Sequence, residues 1–150
     1  MSATTPASVI VSTETYVEVQ HFYARQVHLL DTLQAESFAA TFTEDAVFDH
    51  SPSAPALHGR AAIAREMAAF HQRQLGGEPV QRRHWFNMMT VSEHPDGTLR
   101  THYYALIVVT RKGQSVPVIA PSCAVDDVLV REDGQLLTRT RKVTPDQTIG

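Results

Sequence analysis

The chain has 150 residues, 43% of them hydrophobic and 19% charged, the composition of one globular domain and not of a disordered segment. Thirteen Lys and Arg against sixteen Asp and Glu leave a net charge of -3, which supplies no basic surface for nucleic acid. The single cysteine, Cys123, excludes a disulfide framework and a zinc ribbon. No apolar run reaches the ~20 residues of a membrane helix, and residues 1–11 carry no Lys or Arg ahead of an apolar core, so a cytoplasmic protein with no membrane partner is expected.

Residues 1–11 (MSATTPASVIV) are small and polar and read as a flexible arm, with one domain over 12–150. Ser12 or Thr13 can cap a helix, and Tyr16, Val19, Phe22, Tyr23, Val27, Leu29, Leu30 and Leu33 follow at helical spacing, predicting a helix over 13–33. A short second helix, 35–42, carries Phe38 and Phe42. Thr43-Glu44-Asp45 reads as a turn and 46–50 as a strand, followed by a loop over 51–59 with two prolines. A third helix spans 60–75, with Ile63, Met67, Phe70 and Leu75 on its apolar stripe and Gly76, Gly77 and Pro79 ending it.

Strands are predicted over 81–93, 98–110, 115–130 and 135–143. They are joined by HPDG, RKGQ and REDG, each with a glycine suited to a hairpin turn. Pro117 and Pro121 predict a bulge or an edge in the third of them. Helices first and hairpins later make an α+β protein. A strongly bent, mostly antiparallel sheet would wrap around the long N-terminal helix as a cone, with a pocket between them.

Several segments resemble the SnoaL-like branch of the nuclear-transport-factor-2-like superfamily: Tyr23 and Leu30-Asp31, FTEDAVFDHS (42–51), HGRAAI (58–63), RHWFN (83–87) and REDGQLLTRTRKV (131–143). Helix one, YVEVQHFYARQVHLLD, is also similar to small accessory proteins of aromatic-polyketide pathways of the actinorhodin type. The resemblance covers roughly residues 13–145. It implies the cone fold, but no single activity, because the fold hosts isomerases, dehydratases, cyclases and inert binding modules. Dehydratases of the scytalone dehydratase sort place an Asp and a His where this chain has Asp31 and His84. The steroid isomerase base falls on His50, the isomerase acid on Cys123 and its tyrosine on Gln26, so that triad is not reproduced. The second dehydratase histidine falls near Ser122 and is missing.

The residues alone leave alternatives open. Asp31, among Val27, Leu30 and Leu33, is either a solvated helix-end carboxylate or a partly desolvated general base. His84, before Trp85 and Phe86, is either a core histidine or half of a His–Asp dyad against an aromatic wall. His50 is a second acid/base candidate or a loop histidine. Tyr23, Trp85, Asn87, Tyr103 and Cys123 are candidate substrate contacts, and only one of the adjacent Tyr103 and Tyr104 can face inward. Arg139, Arg141 and Lys142 read as a solvated face or a dimer rim.

No two of the eight histidines lie closer than seven residues, so no local ligand pair exists and no metal is expected. Only a convergence of His50, His84 and Asp31 would supply a metal site. No glycine-rich strand-to-helix turn marks a nucleotide site, so no cofactor is expected. The expected activity is cofactor-independent acid/base chemistry (cyclisation, dehydration or isomerisation) on an apolar, polycyclic, polyketide-like small molecule. The alternative is a non-catalytic module that holds an intermediate or docks on a tailoring enzyme. A homodimer through the outer sheet face is expected in either case.

Overall fold

The computed structural model describes residues 9–76 and 80–147. The arm expected over residues 1–8, the breakers Gly77 and Pro79, and the side chain of Leu75 lie outside what is described. The elements in chain order are β1 (Val9–Ile10), α1 (Thr13–Asp31), α2 (Ala35–Ala39), β2 (Phe42–Asp49), β3 (Leu57–His58) and α3 (Arg60–Leu75), then β4 (Val80–Glu93), β5 (Leu99–Arg111), β6 (Val118–Glu132) and β7 (Gln135–Pro145). Seven strands form one sheet in the order β1-β4-β5-β6-β7-β2-β3. Every pairing is antiparallel except β2 with β7. The fold is α+β, as expected, and the four long strands form a meander.

Helix α1 begins where Ser12 accepts the Thr15 N–H at 3.2 Å. Its buried side is Val19, Tyr23, Gln26 and Val27. Along its length it bonds to four neighbouring strands: Tyr16 to Met89 of β4, Tyr23 to Thr101 of β5 and Asp127 of β6, and Gln26 to Thr138 of β7. One helix reaches four adjacent strands because the sheet curls around it.

Three one-residue irregularities produce that curl. In β4 the register against β5 slips between Asn87 and Thr90, and Met88 takes a left-handed φ of 57°. In β6 the slip falls between Ile119 and Ser122, around Pro121, where β7 has already ended at Pro145. The proline therefore sits where one flank of β6 has no partner strand, as its missing N–H requires. In β7 it falls between Thr138 and Thr140. Each bulge reverses which side chains face inward. In β4 the inner face is His84 and Phe86 before the bulge, and Met89 and Val91 after it. The turn between β6 and β7 has Asp133 and Gly134 both at positive φ (51° and 75°), the type I′ geometry that Asp-Gly favours.

Several boundaries depart from expectation. Residues 9–11 are not arm: Val9–Ile10 pairs with β4, and Val11 packs on the core. Thr43-Glu44-Asp45 is not a turn but the irregular start of β2, whose register against β7 shifts between Phe42 and Val47. Helix α1 stops at Asp31, not Leu33, and α2 at Ala39. No helix among the described residues is long and apolar enough to cross a membrane.

Candidate functional site

The end of α1 places one half of the site. Asp31 is its last residue, and Leu33 follows with a φ of 62°. The Leu33 N–H donates to Leu30 O at 3.1 Å and the Gln34 N–H to Leu29 O at 2.9 Å, the paired bonds of a Schellman cap. A leucine in a conformation that favours glycine is a local strain, and its side chain walls the cleft beside Asp31. The other half comes from β4, where alternation turns His84 inward.

Asp31 and His84 meet. His84 Nδ1 lies 2.6 Å from Asp31 Oδ1, and the His84 backbone N–H donates to Oδ2 at 3.1 Å. Both side chains are 16% exposed. With Nδ1 turned to the carboxylate, Nε2 is the ring atom left to act toward the cleft. That cleft, about 290 Å³, is lined by the end of α1 (Leu30, Asp31, Leu33), the last turns of α3 (Phe70, His71, Gln74) and β4 (Val80 to Arg82, His84). Helix α3 is held over it at its start, where the Arg60 side chain donates twice to Phe42 O, at 2.6 and 2.9 Å. Two more open depressions, about 440 and 420 Å³, lie beside α1 and contain no bonded His–carboxylate pair among the described residues.

His50 does not join the pair. It stacks on Phe48 with ring centres 4.6 Å apart, and Phe48, Arg141 and Phe86 lie between it and His84. Burial lowers its pKa, Arg141 and Lys142 add to the effect, and Asp49 opposes it. Among the described residues no three His, Cys, Asp or Glu side chains converge as metal ligands.

The inner face of the sheet behind the cleft is a buried polar network. Asp127 accepts from Tyr23 (2.7 Å), Tyr103 (3.0 Å) and the Arg141 guanidinium (Nη2 at 2.9 Å and Nε at 3.0 Å). Gln26 accepts from Arg141 at 2.6 Å and donates to Thr41. Tyr23 and Tyr103 are thus committed to Asp127 and do not line the cleft. Burial pushes both phenols well above their ordinary value, and Asp127 raises them further. Arg141 corrects the reading of a solvated face: it is 3% exposed, amid Phe42, Phe48 and Phe86. Burial alone would lower its pKa, but Asp127, Tyr103 and Tyr23 together more than offset it. The bulge at Arg139 turns Arg141 inward, where plain alternation from Leu136 and Thr138 would leave it outside.

The remaining expected contacts lie elsewhere. Trp85 (60% exposed) and Asn87 point away from His84, by alternation, to the outer face of the sheet. Tyr104 joins them there, which makes Tyr103 the inward tyrosine. Cys123 is buried in the core, with its thiol pushed up by burial and by Asp146. Sequence reasoning missed His71 and Arg82. His71 continues the Ile63–Met67–Phe70 stripe, and Arg82 is two residues before His84 on the same face, so helical and strand periodicity were the available signals. Burial lowers the His71 pKa.

The chain is similar to ActVI-ORFA from Streptomyces coelicolor, at 44% identity and a TM-score of 0.83, over 89% of this chain and 98% of that one. It is similar to Aln2 from another Streptomyces strain, at 43% identity and 0.82, over 91% and 94%. A Catenulispora acidiphila protein solved in complex with S-DNPA is 44% identical, with a TM-score of 0.79, over 89% and 95%. No curated protein matches. The SnoaL-like domain matches residues 11–142, and the fold is that of NTF2-like proteins. The chain belongs to the SnoaL-like domain family.

Proposed function

We propose that this protein is a cofactor-independent enzyme acting on an aromatic-polyketide-like small molecule by general acid/base chemistry in the Asp31–His84 cleft. The observation that carries this is the 2.6 Å bond between two largely buried side chains at the wall of a cavity. A contrasting pair, His102 and Asp126 at 2.8 Å, stands on the outer face with both side chains about half exposed. Water screens that pair; the cleft pair is set apart by its burial. The carboxylate fixes His84 with its proton on Nδ1. Nε2 then removes a proton next to a substrate carbonyl, and Asp31 stabilises the imidazolium that forms. Returning the proton to another atom completes an isomerisation, a dehydration or a ring closure. Family membership and the S-DNPA complex of a similar protein support a small-molecule ligand.

One observation favours the second reading, a binding or accessory module. Tyr23 and Tyr103 are occupied by Asp127, and Ser122, at the place of the missing histidine, is bonded to Asp146. The experiment compares wild type with Asp31→Asn and His84→Ala after exhaustive dialysis against chelator. Turnover should fall at least ~100-fold in each variant with ligand affinity retained. Near-wild-type turnover in both contradicts the dyad, and wild-type binding without turnover supports the module.

A second copy of the chain is the proposed partner. On the outer sheet face Trp85, Leu106, Tyr104 and Ile119 lie on neighbouring strands β4, β5 and β6, and three of them are more than half exposed.

A further inference from the structure

His71 is the most buried of the eight histidines, at 6% exposed, and it lines the cleft that His84 faces. It continues the Ile63–Met67 stripe of α3 into that cleft. The turn that carries it packs over β4, where the Arg82 guanidinium covers the neighbouring Phe70 ring at 5.1 Å. The other histidines near the core are engaged: His84 bonds to Asp31, and His50 stacks on Phe48. His71 has neither a carboxylate nor a hydrogen bond among the described residues, and burial alone acts on its titration. Of the polar side chains on the cleft wall it is the most deeply buried.

A buried imidazole without partners costs stability that an apolar residue on the same stripe would not. The cost is recovered where a ligand completes the ring's hydrogen bonds. A neutral imidazole carries one N–H donor and one acceptor. The chemistry assigned to the cleft has a place for that donor. His84 Nε2 takes a proton from carbon, and the same atom cannot also hold the oxygen of the carbonyl beside it. Asp31 has given both oxygens to His84, and Tyr23 and Tyr103 donate to Asp127.

We infer that His71 is a second catalytic residue of the cleft, whose ring N–H holds the substrate's carbonyl oxygen while His84 removes the neighbouring proton. The inference rests on the reading of the cleft as an acid/base site. His84 Nε2 takes the proton, and the C–H electron pair becomes the new C=C bond. The carbonyl π pair moves onto oxygen, where the negative charge develops. His71 meets that oxygen with its N–H and keeps its own proton, so the ring stays neutral throughout. A donor fixed by burial on α3 needs no reorganisation as the charge appears, which is what makes such a group effective.

The test follows deuterium entry beside the carbonyl of 2-tetralone in D₂O, in wild type, His71→Phe and His71→Gln, with the affinity for the ketone measured by calorimetry. His71→Phe keeps a ring and loses the N–H. Its exchange should be at least ~100-fold slower, with affinity changed by less than ~10-fold. His71→Gln supplies an amide N–H and should recover at least ~10-fold over His71→Phe. In wild type, 2-naphthol, a planar mimic of the enol, should shift the ¹⁵N resonance of the His71 ring, a reading that needs no variant to fold. Undiminished exchange in His71→Phe overturns the inference and leaves the Asp31–His84 reading standing. So does a His71 resonance that stays in place with 2-naphthol bound, or a His71→Gln variant as slow as His71→Phe. Wild-type protein that binds the ketone without exchanging it overturns the acid/base reading, and this inference with it.

Discussion

Asp127 accepts from three side chains, and its removal strands a guanidinium that is 3% exposed. Breaking one partner of a buried ion pair costs about 3–5 kcal/mol. Asp127→Ala should therefore lower the stability seen in urea unfolding by that amount, and a loss under about 1 kcal/mol would contradict the network's role. The buried histidines set the pH response. His71 and His50 are both held below the ordinary 6.5 by burial. The unfolded chain takes up their protons first as pH falls, so their contribution is intact above 6.5 and is lost as pH drops from there toward the folded values. The melting temperature should decline between pH 7 and 5, and less steeply in His71→Gln; an unchanged slope in that variant would remove His71 from the account. None of this was visible in residue types. Arg141 looked like a surface cation because its burial depends on a bulge two residues earlier.

Among the elements, α3 was legible to the residue and the four long strands to within three residues at each end, because Gly-containing turns punctuate them and their apolar positions recur at fixed periods. Faces were less legible than boundaries. Counting by twos works on β4 from Val80 to Phe86 and fails beyond Met88, where one extra residue flips the strand. The end of α1 was missed because the capping position holds Leu33 and not glycine, so nothing in the residue type announces a stop. The dyad, 53 residues apart in sequence, was legible through family resemblance and not through spacing. The Met88 bulge gives a direct check. Deleting Met88 restores uniform alternation, so either His84 and Phe86 or Met89 and Val91 must turn outward. At about 1.5–3 kcal/mol for each buried apolar side chain exposed, exposing the second pair would cost about 3–6 kcal/mol. The deletion should therefore lose either that stability in urea unfolding or binding in the cleft, and a variant that keeps both would refute the bulge's role.

For the molecule as a whole, the curled sheet separates two surfaces of different use. The inner surface is filled by α1 and the Asp127 network, except at the cleft between α1, α3 and β4. The outer surface carries Trp85, Tyr104 and Ile119 in the open. Light scattering at micromolar concentration should give about twice the 16.6 kDa chain mass, and Trp85→Glu should return it to the monomer. A wild-type mass of one chain would contradict the pairing. The central claim is narrower: His84, oriented by Asp31, moves a proton next to a carbonyl. Its most direct measurement follows deuterium entering the carbon beside the carbonyl of 2-tetralone in D₂O by proton NMR. Wild-type protein should accelerate the exchange, and His84→Ala and Asp31→Asn should each remove at least ~99% of that acceleration. Acceleration undiminished in both variants, or absent from wild type with the ketone bound, would contradict the account.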